Sequence, residues 1–325
     1  MQPWQQLLSE AITDLDQLFL ELKLDSQRMN SALKIVGSFP LRVPRGFVSR
    51  MEKGNPQDPL LLQVLPVTQE LDRYPGYSDD PLNEKSANRM PGILHKYHGR
   101  VLLTLSGGCA IHCRYCFRRY FPYDDNMPNP VGWKKILDYI ANDQTIEEVI
   151  FSGGDPLILK DKSLALLVQQ IEMIAHVKRL RIHTRLPIVI PERVDDELIR
   201  WLQATRLKTI VVLHCNHSNE INAAVMSAVK KLQAIAVTLF NQSVLLKNIN
   251  DNANTLIKLS HQLFDAGIMP YYLHVLDRVQ GSAHFEVSEA QATQLLREMM
   301  CQLPGYLVPK LVREVPGAPS KIPVV

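Results

Sequence analysis

Three of the chain's five cysteines, Cys109, Cys113 and Cys116, fall within eight residues, Cys-Ala-Ile-His-Cys-Arg-Tyr-Cys. The spacing is three residues, then two. Three thiolates on one short loop hold three irons of a 4Fe–4S cube and leave the fourth iron open. An open iron binds a small molecule and passes an electron to it. Zinc is the competing ligand chemistry, with His112 as a fourth donor. Structural zinc, however, prefers paired C-x2–4-C units, and His112 lies inside the loop. The loop starts with Gly107-Gly108 and follows an apolar run, which favours the cluster.

A second mark lies about forty residues on, at Ser152-Gly153-Gly154-Asp155-Pro156. Gly-Gly-Asp alone is also common turn chemistry. Here it ends the next apolar run after the cysteines. Further polar residues close later runs: His214 and Asp277. Lys321 follows a stiff Pro316-Gly317-Ala318-Pro319 segment. On position alone it reads as a solvated lysine four residues from Val325.

The elements that must position these residues show in the pattern from residue 100 onward. Short apolar runs, Val101–Leu105, Glu148–Phe151, Leu180–Thr184, Thr209–His214, Ala236–Phe240 and Tyr271–Leu276, alternate with helical periodicities. Ser163–Ile174 carries Leu164, Leu167, Ile171 and Ile174 on one face. Another helix starts at Ser288 as N-cap and runs through Leu295, Leu296 and Met299. Six β-then-α units predict a parallel α/β sheet, best described as a partial (β/α)6 barrel, with chemistry at the strands' C-terminal ends. Residues 4–24 read as one amphipathic helix through Leu8, Ile12, Leu15, Phe19 and Leu22. Residues 40–92, rich in Pro and Gly, read as an irregular wrap, a cap or a dimer arm. The expected division is 1–95 for an N-terminal helical and irregular extension, 96–303 for the barrel core and 304–325 for a C-terminal segment carrying Lys321.

The bulk numbers exclude little and agree with this. Hydrophobic content of 46% and charged content of 21% in 325 residues are ordinary for a soluble globular protein. A net charge of +3 without a basic run gives no footprint for nucleic acid. No stretch reaches the ~18 apolar residues of a membrane span. The start has no secretory pattern. Clustered cysteines point to a reducing cytoplasm. Cys215 and Cys301 read as buried small hydrophobes.

The cysteine spacing, with an aromatic before the last cysteine, resembles the radical S-adenosylmethionine superfamily. The Gly-Gly-Asp stretch resembles its Gly-Gly-acid motif, whose backbone (Gly153, Gly154, Asp155) meets the methionine amino group. Longer stretches look like lysine 2,3-aminomutase, in matching order from about residue 30 to the end. They are Cys116-Phe117-Arg118-Arg119-Tyr120-Phe121, Asn241-Gln242-Ser243-Val244-Leu245-Leu246, Pro270-Tyr271-Tyr272 and Val315-Pro316-Gly317-Ala318-Pro319-Ser320-Lys321.

That resemblance implies three cofactors: the 4Fe–4S cluster, S-adenosylmethionine on its open iron, and pyridoxal 5′-phosphate held covalently by Lys321. It implies Arg118 for the substrate carboxylate, a planar fork suited to that task. Asp277 and Glu314 match acids that bind the distal ammonium, Glu314 standing where the family has Asp. Arg119 reads as structural or solvated. Tyr97 and Arg100 match residues near the pyridoxal ring. His214 and Gln242 match residues around S-adenosylmethionine.

The chain departs from the catabolic enzymes. Their zinc-binding cysteine matches Asn252, no cysteine-rich tail follows Lys321, and a family Tyr matches His274. These departures resemble the short branch that makes (R)-β-lysine for elongation factor P. The resemblance implies a functional link to that factor and its lysyl ligase, and an external electron donor such as flavodoxin. It also implies a homo-oligomer, if any, without the relatives' zinc site. Other readings stay open: a catabolic or osmolyte lysine enzyme, an ornithine enzyme, a radical enzyme without pyridoxal, or a non-catalytic metal protein. Acids at 277 and 314 disfavour glutamate as substrate.

Overall fold

The computed structural model describes residues 2–25 and 39–325. Ten strands form one sheet in sequence order: β1 Asn88–Met90, β2 Ile93–Tyr97, β3 Arg100–Ser106, β4 Glu148–Gly153, β5 Arg179–Thr184, β6 Lys208–His214, β7 Thr238–Val244, β8 Met269–His274, β9 Lys310–Arg313 and β10 Ile322–Pro323. From β3 to β9 every neighbouring pair is parallel. The two edges are antiparallel: β1 on β2, β2 on β3, and β10 on β9.

Parallel neighbours need crossovers, and six helices supply them: Pro130–Asn142, Asp161–Glu172, Asp196–Ala204, Ala223–Ala234, Ala253–Asp265 and Glu289–Gln302. This is the six-unit partial barrel, with β9 as a seventh parallel strand. A four-residue run with only Leu311 and Val312 apolar is too short to stand out in sequence. Strand alternation sets the two faces. On β5, Leu180, Ile182 and Thr184 are buried, whereas Arg181 and His183 face a central cavity.

Two expected runs shift. Ala236 adopts φ 60°, closing the preceding helix, so β7 begins at Thr238 and reaches Val244. The run expected over Tyr271–Leu276 begins instead at Met269 and ends at His274. The Ser288 cap is present: its hydroxyl accepts the Gln291 N–H at 3.2 Å.

The helix expected over 4–24 is two helices, Pro3–Ser9 and Leu15–Leu22. The break has a local cause. Asp14 caps the second helix, accepting the Gln17 N–H at 2.9 Å. Between the helices, Ile12 exchanges backbone bonds with Val43 at 2.8 and 2.9 Å. The apolar stripe still works, since Ile12, Leu15, Phe19 and Leu22 are all buried.

The Pro-rich segment wraps the barrel. Its Phe47, Val48, Leu60, Leu61 and Val64 enter the same apolar cluster as the interior of the sheet–helix layers. Strand β2 spans the expected 95/96 boundary, and β9 and β10 extend the same sheet past residue 304. A second cluster under Ala253–Asp265 and Glu289–Gln302 takes in Leu311 and Val324. Lys321 is therefore fixed from behind: Ile322 and Pro323 pair with Arg313 and Val312, and the Val324 N–H donates to Leu311 O at 3.0 Å. Among the described residues no helix is long and apolar enough to cross a membrane.

Candidate active site

One cavity of ≈ 860 Å³ runs along the inside of the sheet, from Arg100 and Glu148 at the starts of β3 and β4 to Gly153 and His214 at the C-terminal ends of β4 and β6. Every residue singled out above for cluster, cofactor or substrate lines it: Cys109, Cys113, Cys116, Tyr97, Arg100, Gly153, Gly154, Asp155, His214, Gln242, Arg118, Asp277, Glu314 and Lys321.

The cysteine loop leaves β3 and presses against the Gly-Gly-Asp turn leaving β4. The Gly154 N–H donates to Ser106 O at 2.6 Å and the Asp155 N–H to Gly108 O at 2.8 Å. A Cβ at Gly154 would strike the Gly108 carbonyl, and Gly153 sits at φ +116° with Ser106 O 2.6 Å from where its Cβ would be. Asp155 is buried, and its carboxylate is filled by Leu157 N, Thr184 Oγ1, Arg185 N and Leu186 N at 2.7–3.0 Å. Burial pushes its carboxyl up, and these donors oppose the rise. Asp155 thus shapes the turn, and the turn offers its backbone to the cavity.

The far side of the cysteine loop is tied to the wrap. The His112 and Arg114 N–H groups donate to Arg42 O and Gln63 O, each at 2.9 Å. Arg114 is fully buried on Glu70, which Arg119 also binds at 2.8 Å. Arg119 is structural, as expected. His112 bonds Pro40 O through Nδ1 at 2.8 Å and stacks on Phe39, which turns it away from the three thiols. No trio of His, Cys, Asp or Glu among the described residues is set to hold a single ion. A cube with each iron on its own cysteine needs no such convergence. The thiols do sense one another. Burial first, then the neighbouring cysteines, raise Cys109 and push Cys116 up to about 11. Such thiols ionise on binding metal.

Across the cavity lies an alternating chain of charge. Arg118 grips Glu84 bidentately at 2.7 and 2.8 Å and also donates to Ser152 Oγ and Gly153 O. Lys96 bridges Glu84 at 3.0 Å and Glu314 at 2.8 Å. Glu314 takes Lys321 Nζ at 2.7 Å. Burial works against ionising Glu84 and Glu314, but their cations win, holding both below the ordinary carboxylate range. Asp277 stands beside this chain with no donor on its carboxylate among the described residues. Burial, then the Glu314 charge, push it up to about 7 against Lys321 and Lys96.

Aromatic and imidazole groups complete the wall. Arg100 lies 4.7 Å over the Tyr97 ring, and Lys321 Nζ 5.8 Å from the Tyr272 ring. His214 meets Gln242 at 2.9 Å, and burial drops its imidazole to about 3. His183 and His274 are held neutral by burial too, each with Nε2 unpartnered among the described residues.

Glu84 and Lys96 were missed in the sequence. Glu84 sits in an aperiodic segment where nothing marks an acid as buried. Lys96 neighbours Tyr97, and that adjacency was the available signal. Cys215 is buried as expected, whereas Cys301 is exposed. Ala292, Leu295 and Met299 take the buried stripe of its helix, and Cys301, two residues past Met299, falls on the other face. Asn252 caps the helix Ala253–Asp265, accepting the Thr255 N–H at 2.9 Å.

This fold and this loop define the class. The family model described as the Radical SAM superfamily matches residues 103–259. A solved structure, Streptococcus suis SuiB bound to S-adenosylmethionine, aligns with TM-score 0.50 at 15% identity, covering 71% of this chain and 52% of that one, a likeness of fold alone. The L-lysine 2,3-aminomutases of Escherichia coli K12 and Haemophilus influenzae are each 52% identical to the chain. They cover 99% and 98% of this chain and 94% and 95% of their own lengths. That of Clostridium subterminale is 31% identical over 99% of this chain and 77% of its own. The chain belongs to the L-lysine 2,3-aminomutase family of radical S-adenosylmethionine isomerases.

Proposed function

We propose that the protein converts L-α-lysine to (R)-β-lysine with a 4Fe–4S cluster, S-adenosylmethionine and pyridoxal 5′-phosphate, and that the product serves β-lysylation of elongation factor P in the cytoplasm. The observation that carries this reading is the meeting of Cys109, Cys113 and Cys116 with Lys321 in one cavity, across two hundred residues of sequence.

The residues fit the cofactors. Cys109, Cys113 and Cys116 line one wall as cluster ligands, with the Gly153–Asp155 backbone, His214 and Gln242 beside them for S-adenosylmethionine. Lys321, with Tyr97, Arg100 and Tyr272 near it, forms a site for pyridoxal phosphate. When bound, the cluster and S-adenosylmethionine supply a hydrogen-abstracting radical, and pyridoxal supplies a carrier for the migrating nitrogen.

The chain supplies position and charge. Arg118, oriented by Glu84, takes the substrate carboxylate. Asp277 and Glu314 take the ε-ammonium. Glu314 also holds the Lys321 amine and, through Lys96, ties the ammonium end of the site to Glu84 at the carboxylate end. The neutral imidazoles of His183, His214 and His274 add polar contacts without adding positive charge near the ammonium.

The role in elongation factor P modification is supported by Asn252, where the catabolic enzymes carry a zinc-binding cysteine, and by His274, where they carry Tyr. The chain is matched nearly end to end by relatives at 52% identity, whereas the Clostridium subterminale enzyme is longer and more distant. A flavodoxin-type donor would supply the electron. Anaerobic turnover with free lysine beside lysylated elongation factor P, followed by chiral product analysis, tests the reading. Release of (R)-β-lysine from free lysine is expected. Product formed only on the lysylated factor would move the substrate, and no β-lysine from either would reject the reading. A Lys321→Ala variant as active as the parent would remove pyridoxal from it.

A further inference from the structure

Behind the cysteine loop, at the end of β5, the buried guanidinium of Arg185 reaches a cysteine sulfur. Its Nη1 lies 2.6 Å from Cys113 Sγ and 2.7 Å from Tyr115 Oη. Its Nη2 donates to Gln63 Oε1 at 2.7 Å and to Glu220 Oε2 at 2.9 Å. The group has little freedom. Its backbone N–H is held by Asp155 at 2.8 Å, and its guanidinium carbon lies 5.5 Å from the Phe47 ring centre. Glu220 is wholly buried and is itself fixed by the Asn216 and His217 N–H groups at 2.9 and 3.1 Å. Tyr115 Oη takes a further bond from Asn216 at 2.6 Å, so the aromatic of the cysteine motif is pinned by the same network.

A structural salt bridge alone would need only Glu220. Here one donor edge of the fork goes instead to a thiol on the cavity wall, in a place walled by Phe47 and Tyr115. Hydrogen bonds to cluster sulfurs and nearby charge set iron–sulfur potentials, and a buried cation acts strongly because little water screens it. Reduction adds one electron to the cluster and its thiolates. An N⁺–H donor on Cys113 Sγ stabilises that added negative charge, and Glu220 partly cancels the effect.

We infer that Arg185 is a positioning residue that raises the reduction potential of the cluster through its bond to Cys113, with Glu220 setting how far. This rests on the reading of the three cysteines as cluster ligands. It adds a role to a residue outside the ligand and substrate sets, and it predicts opposite effects for two neighbouring substitutions.

The test is an anaerobic redox titration of the reconstituted protein, without lysine or pyridoxal, followed by electron paramagnetic resonance of the reduced cluster. Iron and sulfide content are measured first. Arg185→Gln is expected to lower the ratio of reduced to oxidised cluster at a fixed potential about tenfold, which is ~59 mV for a one-electron couple. Glu220→Gln, which leaves Arg185 in place without its counter-charge, is expected to raise that ratio. An unchanged midpoint in either loaded variant, or shifts of the same sign in both, overturns the inference. If Arg185→Gln fails to fold or load, Glu220→Gln decides alone: a rise supports the inference, and no change or a fall overturns it. A parent protein that binds no cluster would instead sink the cluster reading itself, and the inference with it.

Discussion

Asp277 carries the sharpest energetic consequence of the site. Its carboxyl stands in the cavity with no bonded donor among the described residues, and its pKa of about 7 lies far above the ordinary 3.8. At 1.36 kcal/mol per pH unit, that gap corresponds to ~4 kcal/mol as an upper bound on the cost of ionising it in the empty site. The carboxyl is surrounded by protein but partly reached by water through the cavity, and that screening reduces the cost to ~2 kcal/mol.

The sign follows from the raised value. The neutral acid favours the fold fully below the unfolded pKa of 3.8, and this advantage is lost as pH rises to about 7. Above pH 7 the ionised carboxylate is a strain on the empty protein. Asp277→Asn removes that strain. We expect the cofactor-free variant to be more stable than the parent by ~2 kcal/mol at pH 8, with a clearly smaller advantage at pH 5. The assay is reversible urea denaturation at both pH values. If Asp277 binds the lysine ε-ammonium as proposed, the same variant also loses lysine binding. Stabilisation at the expense of binding is the signature of a site charge held ready for a ligand. A variant no more stable than the parent at pH 8, or an advantage equal at both pH values, would refute the reasoning.

Three further outcomes follow from the geometry. Glu84→Gln leaves Arg118 and Lys96 without their shared buried anion. It should cost ~3 kcal/mol in chemical denaturation, with much of the loss recovered in the Arg118→Met, Glu84→Gln double variant. Glu314 is held below the ordinary carboxylate range, so its contribution is present above about pH 4.5 and fades as pH falls. The stability difference between Glu314→Gln and the parent should accordingly shrink in urea melts taken from pH 7 down to pH 3. Gly154→Ala drives a methyl into the Gly108 carbonyl, so the loop must move. Iron and sulfide content after reconstitution should fall severalfold, while folding measured by circular dichroism persists.

The cysteine loop, Gly153–Asp155, His214 and Asp277 were legible because each closes an apolar run, whereas Arg118, Glu314, Tyr97, Arg100, Gln242 and Lys321 were marked by the family resemblance. Strand ends point at one side of a parallel sheet, so Cys109, Asp155, His214 and Asp277 had to converge once the six runs were recognised. The positions of β7 and β8 were less legible, because Ala236 reads as β-compatible until its left-handed backbone is seen. The continuous helix over 4–24 failed because helical periodicity persists across a break when both halves bury the same stripe. Glu84, Gln63 and Glu220 were invisible for another reason. Each is a single polar residue whose burial depends on partners far off in the chain, and no local pattern records that. Arg185 stood at a strand end, but only its contact with Cys113 separates it from an ordinary ion pair.

The central claim is that the cysteine loop and Lys321 act on one substrate in one cavity. The measurement that tests it most directly is anaerobic turnover with S-adenosylmethionine tritiated at the 5′ carbon of its adenosyl group and unlabelled lysine. If the adenosyl radical takes hydrogen from lysine and returns it after the nitrogen has moved, tritium appears in β-lysine. Cleavage of S-adenosylmethionine with no tritium in any β-lysine would contradict the claim.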